Sequence, residues 1–89
     1  MNQHTSHAEI LLRLKRASGH LTKVLAMLEA GDECERVAQQ LQAVSNALIT
    51  AKRMYVTDHI EHCLQVQEGM TPEEIAEQLK ALKTMTKYL

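Results

Sequence analysis

Apolar residues recur in the first third of the chain in alternating steps of four and three positions. This first stripe consists of Ile10, Leu14, Ala17, Leu21, Val24 and Leu28. A heptad pattern sustained for more than two heptads predicts an amphipathic helix that packs along its whole length. We expect the helix to begin near His7, with Thr5 or Ser6 as its cap. It should end at Ala30-Gly31, because glycine readily adopts the left-handed conformation that follows a helix.

A second stripe with the same steps predicts a longer helix. It consists of Val37, Leu41, Val44, Leu48, Ala51 and Tyr55. Asp32 should cap this helix, with Glu35 three residues on as in a capping box. Residues 32–68 contain no Pro or Gly, so we expect the helix to continue through Cys63 to about Gln67, over ~50 Å. A helix of that length in a small protein requires partners outside its own chain.

A third, short helix is predicted from Thr71-Pro72-Glu73-Glu74, which supplies an N-cap, a proline in the first turn and an N3 glutamate. The apolar residues Ile75, Leu79 and Leu82 follow it. The prediction is therefore an all-α protomer of three helices with a long central one. It forms a single domain over residues 1–89, with residues 1–5 as a flexible lead.

Composition narrows the class of protein. Among 89 residues there are two Tyr and no Trp or Phe, so the single-chain core should be small and oligomerisation is expected. The net charge of −1 leaves only a local patch for binding nucleic acid. No secretory signal and no membrane-spanning apolar stretch is visible. These features predict a cytoplasmic protein without membrane contact, whose cysteines are free for metal or redox chemistry.

The two cysteines and His59 are too far apart along the chain for all three to meet within one helix. His59 and Cys63 are four residues apart and share one helix face. Cys34 lies 25 positions before His59, which on one helix is ~37 Å. A single subunit cannot bring these side chains together, but an antiparallel partner helix that crosses near Ala47 can. The small residues of 43–47 would allow the close approach. We therefore predict two equivalent sites per dimer, each built from Cys34 of one chain and His59/Cys63 of the other.

Two thiolates and one imidazole suit Cu(I) in a three-coordinate site, or Zn(II) with a fourth ligand. His4, His7 and His62 are further imidazoles, and one of them as a fourth ligand would shift the preference towards Ni(II) or Co(II). Two other interpretations remain open: a thiol-based redox sensor without metal, and a purely structural helical module. An enzyme is not indicated, because no set of nucleophile, base and orienting residue is apparent.

A basic run on the first helix indicates a possible phosphate-contacting surface. The candidate DNA-binding residues are Arg13, Lys15, Arg16 and Lys23, with Lys52 and Arg53 on the second helix. The simpler interpretation is a solvated helix face. The sequence has neither a helix-turn-helix pattern nor an aromatic stacking platform, so DNA readout would depend on shape and backbone contacts.

Three segments resemble the CsoR/RcnR family of bacterial metal-sensing repressors: residues 13–20, residues 39–44 and residues 59–63. The spacing of Cys34, His59 and Cys63 is similar to that of the copper-sensing members. The resemblance implies a three-helix protomer in an antiparallel dimer, and a disc-like dimer of dimers. It also implies a metal-responsive repressor that binds double-stranded operator DNA in the apo form and releases it on metal binding.

The departures from the family pattern concern the inducer. Copper-sensing members carry a tyrosine beside the first cysteine, where this chain has Glu33. His59 distinguishes the chain from persulfide-sensing members, while Asn2 and Cys63 distinguish it from formaldehyde-sensing members. Nickel- and cobalt-sensing members use an N-terminal histidine near the position of His4 and His7. The resemblance thus implies Cu(I) first and Ni(II) or Co(II) second, with a persulfide or formaldehyde sensor on the same scaffold as the remaining alternative.

Overall fold

The chain folds into three α-helices. The computed structural model describes residues 5–63, 65 and 68–89. The helices are α1 (Thr5–Glu29), α2 (Cys34–Cys63) and α3 (Pro72–Met85), and a single 3-10 turn (Thr86–Tyr88) follows α3. Over these described residues there is no strand, so the all-α prediction is confirmed.

The glycine after α1 has the predicted role. Gly31 adopts a positive φ of 71°, and its N–H donates to the carbonyl of Leu28 over 3.1 Å. The N–H of Asp32 donates to the carbonyl of Met27 over 3.0 Å. This pair of bonds is a Schellman motif, which satisfies two carbonyls at the end of the helix and turns the chain sharply towards α2.

The first residue of α2 comes two positions after Asp32, the residue predicted to cap this helix. The helix begins at Cys34, and a carboxylate oxygen of Asp32 accepts a 2.7 Å hydrogen bond from the N–H of the adjacent Glu33. The same oxygen lies 3.6 Å from Nη1 of Arg36. The predicted end near Gln67 lies outside the described residues.

The start of α3 matches the prediction. Thr71 Oγ1 accepts a hydrogen bond from the N–H of Glu74 over 3.1 Å, and the Glu74 carboxylate accepts one from the N–H of Thr71 over 2.9 Å. With Pro72 at the first helical position, this is the capping box that the sequence predicts. None of the α3 residues is buried, so α3 lies on the surface of the molecule.

Helices α1 and α2 form an antiparallel pair that buries only every second position of each stripe. The buried members are Ile10, Ala17 and Val24 on α1 and Val37, Val44 and Ala51 on α2, joined by Met27 and Val56. The alternate members Leu14, Leu21, Leu28, Leu41, Leu48 and Tyr55 are 40% to 57% exposed. The stripe is therefore correct as a pattern, but a single chain covers only half of it.

The molecule is a thin slab, with extents of 61 × 26 × 14 Å. A thickness of 14 Å is little more than one helix with its side chains. The slab therefore has two broad faces, and the buried seam between α1 and α2 runs between them. None of the described helices is long and apolar enough to cross a membrane.

Candidate functional site

One broad face of the slab is lined with leucines. On α1, Leu14, Leu21 and Leu25 flank the buried seam on one side, and on α2 the exposed Leu41 and Leu48 do the same. We call these five residues the leucine face. Each is between 40% and 54% exposed. An apolar surface of this extent, rimmed by polar residues, is typical of a protein–protein interface rather than of a monomer's solvated surface.

The predicted metal ligands lie on the same strip of α2 as two of these leucines. In steps of three and four the strip comprises Cys34, Ala38, Leu41, Ser45, Leu48, Lys52, Val56, His59 and Cys63. Positions with this spacing project from one side of a helix. One end of the strip therefore carries Cys34 and the other carries His59 and Cys63, with the exposed leucines between them.

The strip indicates that the small residue at the predicted helix crossing is Ser45 and not Ala47. Ser45 lies on it and is exposed, whereas Val44 is buried against α1. Ala47 is half-buried and lines a groove next to Arg13 and Arg16, on the other side of the helix pair. The crossing itself stays a prediction, now with Ser45 and Leu48 as the residues nearest to it.

A single chain does not assemble the site. Among the described side chains, no three of His, Cys, Asp and Glu come close enough together to hold a metal ion. Cys34 is the first residue of α2, and its thiol is free and exposed. Cys63 is the last residue of that helix, and its side chain is outside the described part. The separation of the two helix ends is thus as the sequence predicts.

His59 is less exposed than Cys34, because α3 lies over it. The imidazole is half-buried and lines a cavity of about 330 Å³. The α3 residues that line the same cavity are Glu77, Lys80, Ala81, Thr84 and Met85. Sequence reasoning missed this contribution of α3, since nothing in the sequence of the third helix relates it to His59.

The other candidate imidazoles have different surroundings. His7 Nε2 lies 3.3 Å from a carboxylate oxygen of Asp58, and its ring stacks on Tyr55 at a centroid distance of 5.5 Å. These contacts join the start of α1 to the second half of α2. His62 is exposed on α2, and His4 lies outside the described residues.

The candidate DNA-binding residues separate into two groups. Arg13 and Arg16 line one groove between α1 and α2, of about 310 Å³, together with His20. Lys23 is exposed one turn beyond His20 on the same side of α1.

The remaining basic residues do not line this groove. Lys15 is exposed on the opposite side of α1 from the groove, and Lys52 belongs to the α2 strip that carries Cys34. Arg53 lies on the groove side of α2 but lines a separate cavity with Asp58 and Glu61. The structure therefore brings Arg13 and Arg16 into one groove and leaves Lys15 and Lys52 on other sides of the molecule.

Comparison with known proteins gives the family. The profile described as "metal-sensitive transcriptional repressor" matches residues 6–87, nearly the whole chain. The chain belongs to this family. The family is one of transcriptional repressors and not of enzymes, so both the resemblance and the non-enzymatic prediction are confirmed.

The chain is also similar to individual named proteins. The copper-sensing transcriptional repressor CsoR of Mycobacterium ulcerans (strain Agy99) is 39% identical over 75 residues, which are 82% of this chain and 64% of that protein. CsoR of Mycobacterium tuberculosis (strain ATCC 25618 / H37Rv) is 36% identical over 75 residues, covering 82% and 63%. An uncharacterized protein in the bioA 5' region of Serratia marcescens is 27% identical over 82 residues, 92% of this chain and 89% of its own.

The match therefore spans less than two thirds of the length of the copper-sensing relatives. No solved structure matches the chain significantly.

Proposed function

We propose that this protein is a cytoplasmic, metal-responsive transcriptional repressor that binds double-stranded operator DNA without metal and releases it when Cu(I) binds. The observation that carries the proposal is the α2 strip, which places Cys34, His59 and Cys63 on the helix face that also bears Leu41 and Leu48. A partner helix that covers those leucines necessarily approaches the proposed ligands.

The proposed dimer pairs the leucine faces of two subunits, with their α2 helices antiparallel. A fully buried leucine contributes ~1.5–3 kcal/mol, so covering the exposed half of each residue contributes ~1 kcal/mol. Ten such residues in a dimer then give ~10 kcal/mol, which is comparable with the ~4–15 kcal/mol cost of association. The face alone makes dimerisation feasible. A further pairing of dimers would produce the tetramer.

The donor set fits Cu(I). Each site would take Cys34 from one subunit and His59 with Cys63 from the other, and two thiolates with one imidazole suit this soft ion in three-coordinate geometry. Cys34 is the first residue of α2 and its thiol is free and exposed, so a metal ion can reach it. The copper-sensing relatives support the same metal, since their printed names state that they sense copper.

Ni(II), Co(II) or Zn(II) would require at least one more ligand. The imidazole of His7 already lies against Asp58 and Tyr55, so recruiting it would break both contacts. This engagement of His7 disfavours it as a fourth ligand and leaves His4 and His62 as the candidates for that position.

The proposed mechanism is thermodynamic linkage. Metal binding would join the ends of two α2 helices and favour a quaternary arrangement with poorer phosphate contacts. The coupling free energy in such systems is typically ~1–3 kcal/mol, and it is reciprocal, so DNA must weaken metal binding by the same factor. The basic groove faces away from the leucine face, which leaves it accessible to DNA in the dimer.

A DNA-release titration tests the proposal. A duplex selected by the wild-type protein from a random pool is labelled with fluorescein, and its anisotropy is followed as Cu(I) or Ni(II) is added. The wild-type protein should release DNA with Cu(I), and a Cys34→Ala variant should bind DNA but retain it. A Ser45→Ala variant on the same strip is the control and should behave like wild type. Release from Cys34→Ala at the wild-type Cu(I) concentration would contradict the proposal.

The exposed, free thiol of Cys34 favours one second candidate, a thiol-based sensor without metal. In that case oxidation by peroxide or by a persulfide donor would link Cys34 of one subunit to Cys63 of another. Mass spectrometry after each treatment distinguishes the two: an intersubunit crosslink that itself releases DNA favours the thiol sensor.

A further inference from the structure

The groove between α1 and α2 has a second wall that is not basic. Opposite Arg13 and Arg16, α2 contributes Asn46, Ala47 and Thr50 to the lining. Asn46 and Thr50 are one helical turn apart and both are exposed. No carboxylate lines this groove. Two helices thus present cationic and neutral hydrogen-bond donors to the same space, which is the chemistry that a phosphate group requires.

A hydrogen bond between the two helices lies at the His20 end of the groove. His20 Nε2 lies 2.6 Å from Oε1 of Gln40 on α2, which ties the two helices together beside the arginines. Arg13 meets one carboxylate, through its Nε at 3.5 Å from Glu9. A guanidinium has five N–H donors, so most of those of Arg13 remain for an anion.

The α2 wall also has donors available. Gln42 Nε2 donates to Oδ1 of Asn46 over 2.9 Å. This bond uses the carbonyl oxygen of the Asn46 amide, so both donors of its NH₂ group remain available to a ligand in the groove. The Thr50 hydroxyl supplies one more donor from the next turn.

We propose that this groove holds a backbone phosphate of double-stranded DNA, with Asn46 and Thr50 of α2 donating hydrogen bonds opposite the two arginines of α1. This inference rests on the proposed function and extends it. DNA contact then involves neutral donors of α2 in addition to the basic residues.

The contribution of α2 to the phosphate contact has a consequence for regulation. The same helix, α2, carries the proposed metal ligands at its ends and the phosphate donors Asn46 and Thr50 near its middle. A displacement of α2 relative to α1, if metal binding caused one, would change the separation between these donors and the arginines and so would alter the DNA contact.

Neutral isosteric variants test the assignment. Thr50→Val and Asn46→Leu remove donors without changing charge, and Thr22→Val is the matched control, since Thr22 is exposed on the side of α1 away from the groove and bonds to the carbonyl of Ser18. The probes are the selected fluorescein-labelled duplex and a scrambled duplex of equal length. Each groove variant should bind both duplexes about tenfold more weakly, while Thr22→Val should bind as wild type does.

The salt dependence separates the two walls. A neutral donor releases no counterion, so the slope of log K against log[salt] should be unchanged in Thr50→Val and Asn46→Leu and smaller by about one in Arg16→Ala. A Thr50→Arg variant adds a cation to the groove and should bind more tightly, with a slope larger by about one. Misfolding cannot imitate that gain.

The outcomes are distinguishable from failure of the proposed function. If the wild-type protein binds the selected duplex and releases it with Cu(I), but Thr50→Val, Asn46→Leu and Thr50→Arg all match wild type, the groove assignment is wrong and the repressor proposal stands. If the wild-type protein does not bind duplex DNA at low salt, the repressor proposal fails and the groove assignment fails with it.

Discussion

Replacing Leu48 by glutamate should dissociate the proposed dimer. The metal site requires Cys34 of one subunit to meet residues 59–63 of the other, so the two-fold axis passes α2 between positions 46.5 and 48.5, the midpoints of 34 with 59 and of 34 with 63. Leu48 is the strip residue nearest to this proposed axis, and it is 43% exposed in the single chain. In the dimer each Leu48 should therefore lie close to its counterpart.

The expected effect has two parts. Loss of the leucine contact removes ~1 kcal/mol per subunit, or ~2 kcal/mol per dimer. Two carboxylates ~6 Å apart at an effective dielectric of ~20 repel by ~3 kcal/mol. The sum of ~5 kcal/mol corresponds to a dimer dissociation constant raised more than ~10³-fold.

Sedimentation equilibrium of Leu48→Glu and wild type over a range of protein concentrations measures this change. Leu12→Glu is the control, because Leu12 is 48% exposed but lies on the other side of α1 from the leucine face. Circular dichroism should show unchanged helix content in both variants. A Leu48→Glu protein that dimerises with the wild-type constant would refute the placement of the interface.

Three further predictions concern the single chain, and urea unfolding measures each of them. Val24→Ala should destabilise the fold by ~2 kcal/mol, since Val24 is only 1% exposed and its removal leaves a cavity in the α1–α2 seam; an unchanged midpoint would show that the seam is not the core. Thr71→Ala should cost ~1 kcal/mol by removing one half of the α3 capping box, whereas the exposed Thr22→Ala should cost less than half of that. Gln40→Leu should cost ~1 kcal/mol by breaking the hydrogen bond to His20, and a stabilised variant would mean that the bond adds nothing to the helix pairing.

The helices could be predicted from the sequence because their signals are local. Gly31 adopts the left-handed conformation expected at a helix C-terminus, and Thr71 with Glu74 forms the expected capping box. Burial was harder to predict, because a heptad stripe does not state which partner covers each position. Val24 and Val44 are covered by the chain itself, while Leu21 and Leu48 stay exposed in the single chain and belong to the proposed dimer interface.

The candidate site could likewise be predicted only in part from the sequence. The spacing of Cys34, His59 and Cys63 along one helix was enough to place them at opposite ends of one strip. The cover that α3 provides over His59 depends on how the third helix folds back, which is a tertiary contact without a sequence motif. Asn46 and Thr50 are ordinary polar residues in sequence, and only their position opposite Arg13 and Arg16 gives them a role.

In the proposed dimer, each metal ion is shared between two subunits. Mixing Cys34→Ala protein with Cys63→Ala protein tests this sharing, because each homodimer has two damaged sites. In a heterodimer both losses fall on the same intersubunit site, so the other site keeps Cys34, His59 and Cys63 intact.

The measurement is the stoichiometry of tight Cu(I) binding, by competition with a chromophoric chelator, on heterodimers isolated through different affinity tags. We expect one Cu(I) per heterodimer with wild-type affinity, and none with that affinity in either homodimer. Heterodimers that bind no Cu(I) tightly, or homodimers of a single variant that still bind two, would contradict the shared site.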